Sequence, residues 1–180
     1  MKTRIKISAI FILAAMLMVL VTGCKKSEGS GKEPEALKGD LTSIIETIYE
    51  KAKVDLNVEN TAIDLTNKDM VKYNMGLEDA SKVKEAVVSE ALISSQAYSL
   101  VLVRVNDAAD AEAVAKGMRD GIDQRKWICV MADDLQIVTH NDLVMLVMVA
   151  STMKDTVTSQ QIVDAFREMC GTDFGLTLTK

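Results

Sequence analysis

Apolar positions along the chain follow three kinds of pattern. Residues 7–21 run apolar without a period, broken only by Ser8. From residue 40 the spacing becomes helical. Leu41, Ile44, Ile45, Ile48 and Tyr49 recur at intervals of three and four behind Asp40, whose carboxylate suits an N-cap. Thr66 with Asp69 reads as a capping box that opens a short helix ending at Gly76. Residues 83–89 and 97–105 read as strands. The second is apolar on both parities at its centre, as in a strand covered on both faces. Asp107 opens a long helix reaching about Lys126, with Ala111, Val114, Ala115, Met118 and Ile122 on its inner stripe. Residues 135–139 and 143–150 read as two strands about a His140-Asn141-Asp142 turn. Thr158 and Gln161 form another capping box before Ile162, Val163, Phe166 and Met169, and Gly171 stops that last helix. The order predicts an α+β fold, with a four-stranded, mainly antiparallel sheet and helices packed on it.

The first apolar run has a different meaning. Lys2, Arg4 and Lys6 precede it, small Thr22 and Gly23 close it, and Cys24 follows. A basic head, an apolar run and a small-residue exit make a secretory signal peptide. A membrane-spanning helix needs roughly 20 apolar residues, and this run has 15. Val21-Thr22-Gly23-Cys24 resembles the lipobox of bacterial lipoprotein precursors. That resemblance implies cleavage between Gly23 and Cys24, and a diacylglyceryl group on the Cys24 thiol that anchors the chain in the lipid bilayer. The expected location is the outer, extracytoplasmic face of the cell membrane. Residues 24–39 are rich in Gly, Ser, Lys and Glu and hold the only proline, Pro34, so their composition predicts a disordered tether. Residues 40–180 are the size of one domain.

Removing residues 1–23 takes away three basic groups and no acidic one, leaving 21 − 3 = 18 Lys and Arg against 26 Asp and Glu, or −8. Such a chain lacks the basic stripe that nucleic acid demands. Besides Cys24 there are Cys129 and Cys170, which the sequence leaves either as separate thiols or as a disulfide in a permissive compartment. No CxxC or paired histidine accompanies them, so no metal site is expected. No phosphate-cradling glycine loop occurs, and no cofactor is expected. His140, the one histidine, reads as a solvated turn residue.

Three groups stand out as candidates. Asp69-Met70-Val71-Lys72-Tyr73-Asn74-Met75-Gly76-Leu77, the strand into Arg104-Val105-Asn106-Asp107, the helix closing on Arg125 and the Asn141-Asp142 hairpin form one set. On these residues the chain resembles a family of Gram-positive lipoproteins sharing one extracytoplasmic domain of unknown function. The resemblance implies the location and brings no reaction or cofactor. It also leads one to expect an aromatic-rich segment before the hairpin, where this chain has Trp127 and then Met131-Ala132-Asp133-Asp134. Trp127 beside Arg125 and Lys126 suits an interface, since Trp and Arg are enriched at binding hot spots, with a core plug as the other reading. Asp133 and Asp134 lie in an expected loop as paired carboxylates. The leading expectation is a non-enzymatic binding or scaffolding module with a cell-envelope protein or glycan partner. The alternatives are an envelope hydrolase using Asp133 and Asp134, or a small-ligand carrier.

Overall fold

The computed structural model describes residues 36–180, so the expected signal peptide, the expected Gly23–Cys24 cleavage junction and most of the expected tether lie outside the described residues. The domain is α+β, built on an antiparallel sheet. In chain order the elements are α1 (Leu41–Ala52), β1 (Val58–Ala62), α2 (Lys68–Met75), β2 (Val83–Ala91), β3 (Tyr98–Val105), α3 (Ala111–Gly121), β4 (Asp134–His140), β5 (Leu143–Val149), α4 (Ser159–Cys170) and β6 (Leu176–Thr179). The strands lie in the order β1-β2-β3-β5-β4-β6. The sheet therefore has six strands instead of the expected four. Both additions are edges. β1 (VENTA) is mostly exposed and carries no apolar alternation, and β6 (LTLT) is only four residues long.

Helices cover both faces. Every residue of β3 and β5 is buried, because these central strands have a helical layer on each side. One layer is α1 with α4. The Tyr98 hydroxyl donates to that of Tyr49 on α1 at 3.1 Å, and Tyr49 donates to Ser89 Oγ at 2.7 Å. Gln136 of β4 reaches Ser159 at the start of α4 at 2.8 Å. Burial pushes both phenols up, so they stay neutral donors. The other layer is α2 with α3. Leu41, Ile44, Ile45 and Ile48 are buried along α1, each side chain contributing about 1.5–3 kcal/mol.

The local signals explain most boundaries. Asp40 caps α1 by accepting from Ser43 N at 2.9 Å. Thr158 and Gln161 form their reciprocal box, and Gly171 ends α4 with φ 67°. α2 is capped by Asn67, which accepts from the amides of Asp69 and Met70, while Thr66 turns instead to Asp64. α3 stops at Gly121, short of Lys126, since Ile122 is extended (φ −67°, ψ 135°) although its side chain continues the buried stripe. The glycines of α3 do not meet the sheet. Gly121 lies against Gly76, and Gly117 lies against Leu77. His140 is buried at the end of β4, opposite Leu143, because the two-residue turn at Asn141 (φ 51°) and Asp142 draws it into the ladder.

Arg104 closes the far end of β3. Its Nε donates to Glu85 Oε1 at 2.7 Å and its Nη1 to Asp142 Oδ2 at 3.0 Å, while the remaining donors reach Leu37 O at 3.2 Å and Gly39 O at 2.9 Å. Burial works against this charge, but the two carboxylates outweigh it and keep the guanidinium ionised. Residues 36–39 are thus held beside the β4–β5 hairpin.

Candidate functional site

Five large apolar side chains are exposed among the described residues: Tyr73, Leu92, Ile93, Ile128 and Met131. They come from α2, the β2–β3 turn and the α3–β4 connection, which are distant in sequence. Lys126 joins the three segments. Its Nζ is 2.5 Å from Glu90 Oε1, just before that turn, and 3.3 Å from Ser99 Oγ, just after it. The same ammonium lies 4.7 Å from the Tyr73 ring centroid and 5.3 Å from that of Trp127. Its side chain is only 1% exposed. Burial lowers the pKa of Lys126, and the Glu90 carboxylate pulls it back toward the charged form. A desolvated ammonium with a carboxylate and two aromatic faces is well compensated, so the pair holds the loop onto the sheet.

Beside this pair, α2 overhangs β1 and β2 and leaves an open groove of about 530 Å³. Thr61, Asp69, Met70, Tyr73, Asn74 and Glu90 line it. A neighbouring cleft of about 430 Å³ shares Asp69 and Tyr73 and adds Asp123, Arg125 and Lys126. Burial raises the Tyr73 phenol, with the Glu90 and Asp123 carboxylates adding to the effect. The lining offers hydroxyl, amide, thioether and aromatic surfaces with an excess of carboxylate.

The structure thus gathers two of the sequence candidates here and leaves two elsewhere. Arg125 is exposed on the rim of the second cleft, and Trp127 is half-buried against Lys126. Asp133 is exposed and accepts from Ser151 N at 2.6 Å. The Ser151 hydroxyl and amide hold its carboxyl below the usual range. Asp134 opens β4 and accepts from Ser159 Oγ at 2.5 Å on the α4 side of the sheet. The two carboxylates have separate partners and line none of the clefts described. Lys126 and Glu90, at the centre of the site, carried no sequence signal, because their pairing arises only when the loop folds over the sheet.

Chemically, the groove offers a ligand hydroxyl, carboxylate, amide and aromatic groups. His140 sits at the other end of the sheet on the α1–α4 side, paired with Leu143. Among the described residues, no group of three or more His, Cys, Asp or Glu is placed to hold a metal ion, and no helix is long and apolar enough to cross a membrane. Cys129 and Cys170 are free thiols, the first exposed in the apolar loop and the second half-buried. Burial raises Cys170 to about 12, which at pH 8 leaves a thiolate fraction on the order of 10⁻⁴. Iodoacetamide at pH 8 should therefore alkylate Cys129 and spare Cys170, as read by peptide mass spectrometry. Equal labelling of the two would refute this placement.

No protein family, curated protein or solved structure matches the chain.

Proposed function

We propose that the chain is an extracytoplasmic lipoprotein, held on the outer face of the cell membrane by lipid on Cys24, whose domain binds a cell-envelope partner without transforming it. The observation that carries the binding role is the open groove beneath α2, lined by Met70 and the exposed Tyr73 and bordered by the Lys126–Glu90 pair, with exposed Leu92, Ile93, Ile128 and Met131 on the two loops that follow Glu90 and Lys126 in sequence. An open groove with apolar and aromatic lining suits an interaction surface, whereas apolar residues exposed singly carry no such meaning. The anchor rests on the residues ending in Val21-Thr22-Gly23-Cys24.

The groove opens along its length, so it favours a partner surface over an enclosed small molecule. Asp133 and Asp134, each tied to a serine, offer the hydrolase alternative no shared pocket. A photo-crosslinking residue placed at Ile128 tests the reading in intact cells, with the same residue at exposed Glu46 on α1 as control. A discrete adduct from position 128 and none from position 46 is expected. The same background from both positions would refute the patch.

A further inference from the structure

β1 is bonded on one side only. Asn57 O accepts from Leu92 N and Ile63 N donates to Ala86 O, with Glu59 opposite Glu90 and Thr61 opposite Val88 between them. In an antiparallel ladder the residues that exchange bonds alternate with residues whose N–H and C=O point outward. The outward set here is Val58, Asn60 and Ala62, and no hydrogen bond among the described residues engages their backbone groups. The Asn60 side-chain oxygen, at the centre of the strand, is buried without a donor. Proteins guard such edges with Lys, Pro or bulges. β1 has neither residue, and its register against β2 runs without a shift. The opposite edge, β6, is shorter and does not line the groove.

We propose that this open edge takes up an extended, basic polypeptide segment as a seventh strand, with alternate side chains entering the groove beneath α2. This rests on the binding role proposed above and names the class of partner. Strand addition draws affinity from main-chain bonds and specificity from pockets for every second side chain. Side chains of an added strand that lie level with Glu59 and Thr61 face the α2 side. There the clefts are lined by the carboxylates of Glu59 and Asp69, beside the Glu90 that Lys126 already pairs. The nearest cation, Lys126, is already paired with Glu90. Other occupants match less well. A second copy of this acidic chain would add its own Glu59 to the same acidic edge, and a glycan has no main-chain ladder to offer.

The probe is a fluorescent ten-residue peptide of alternating lysine and threonine, titrated into the full lipidated protein in detergent and followed by polarisation. It should bind, and the glutamate–threonine counterpart should not. N-methylation of its four central residues should weaken binding by about tenfold or more, since it removes the pairing donors. Asn60→Pro removes an outward N–H together with the Asn60 carboxamide, leaves the β1–β2 bonds intact, and should weaken binding comparably, whereas Asn60→Ala, which keeps the N–H, should not. Asp69→Lys, exposed in the first turn of α2, is an independent variant that should also weaken it. Equal binding of the N-methylated peptide, binding of the glutamate peptide, or no binding of the lysine peptide at millimolar concentration would overturn the proposal. If crosslinking at position 128 succeeds while the peptide fails in any of these ways, strand addition falls and the binding role stands.

Discussion

Gly121→Ala is expected to cost the domain about 3 kcal/mol or more of unfolding free energy. α2 ends at Gly76 with φ 71°, and α3 ends at Gly121, so two helix termini meet with no side chain between them. A Cβ on Gly121 would overlap the Gly76 carbonyl oxygen. A Cβ on Gly76 would come within 2.6 Å of Gly121 C and 2.7 Å of Ile122 Cα. Overpacking a core costs about 1–3 kcal/mol when side chains can shift. Here the obstacle is backbone, so the helices themselves must separate. For a domain of this size that corresponds to a fall in Tm of about 6–12 °C. Gly171→Ala is the control. It too has a positive φ, but open space surrounds it, so only about 1 kcal/mol of backbone strain applies. Urea unfolding of both variants gives the answer, and a Gly121→Ala protein within 1 kcal/mol of the parent would refute the close approach. The junction also sets the site, because it places Tyr73 of α2 beside the segment that carries Lys126. The crosslink at position 128 should weaken in the same variant.

Cys24→Ser should move nearly all of the protein from the membrane fraction to the medium. In the proposed anchor the Cys24 thiol receives the diacylglyceryl group, and a serine hydroxyl cannot replace it. Each buried methylene contributes about 0.8 kcal/mol, and two acyl chains separate stable retention from the marginal hold of one. No described helix could substitute as an anchor, and residues 7–21 are short for a span. Fractionation with immunoblotting and the mass of the N-terminal peptide give the readout. An unchanged share of protein in the membranes would remove the anchor and, with it, the proposed location.

The elements that sequence periodicity reveals are those buried on one stripe or on both faces. α1 and α4 show three-and-four spacing with side-chain caps, and β3 and β5 are buried throughout and apolar at their centres because helices cover each side. β1 lacks such a pattern, since Val58, Glu59, Asn60, Thr61 and Ala62 sit on an edge with little burial on either face. The site suffered from the same blindness. Its floor includes Thr61 of the unread strand, and its centre is a contact between Lys126 and Glu90 that no local spacing encodes. Arg125 and Trp127 were legible because arginine and tryptophan are conspicuous residue types, although the lysine between them makes the contacts. Asp133 and Asp134 drew notice for being adjacent. Successive residues in extended chain face opposite ways, and each carboxylate found its own serine.

The grip of Arg104 on the carbonyls of Leu37 and Gly39 has a mechanical consequence. Besides the covalent path into α1, a pull on the N-terminal segment is shared with β3, a strand bonded by full ladders to β2 and β5, and not with β1 or β6, which could be peeled away one bond at a time. A domain held at its middle from the N-terminal side resists unravelling from that end, because the central ladders must yield together.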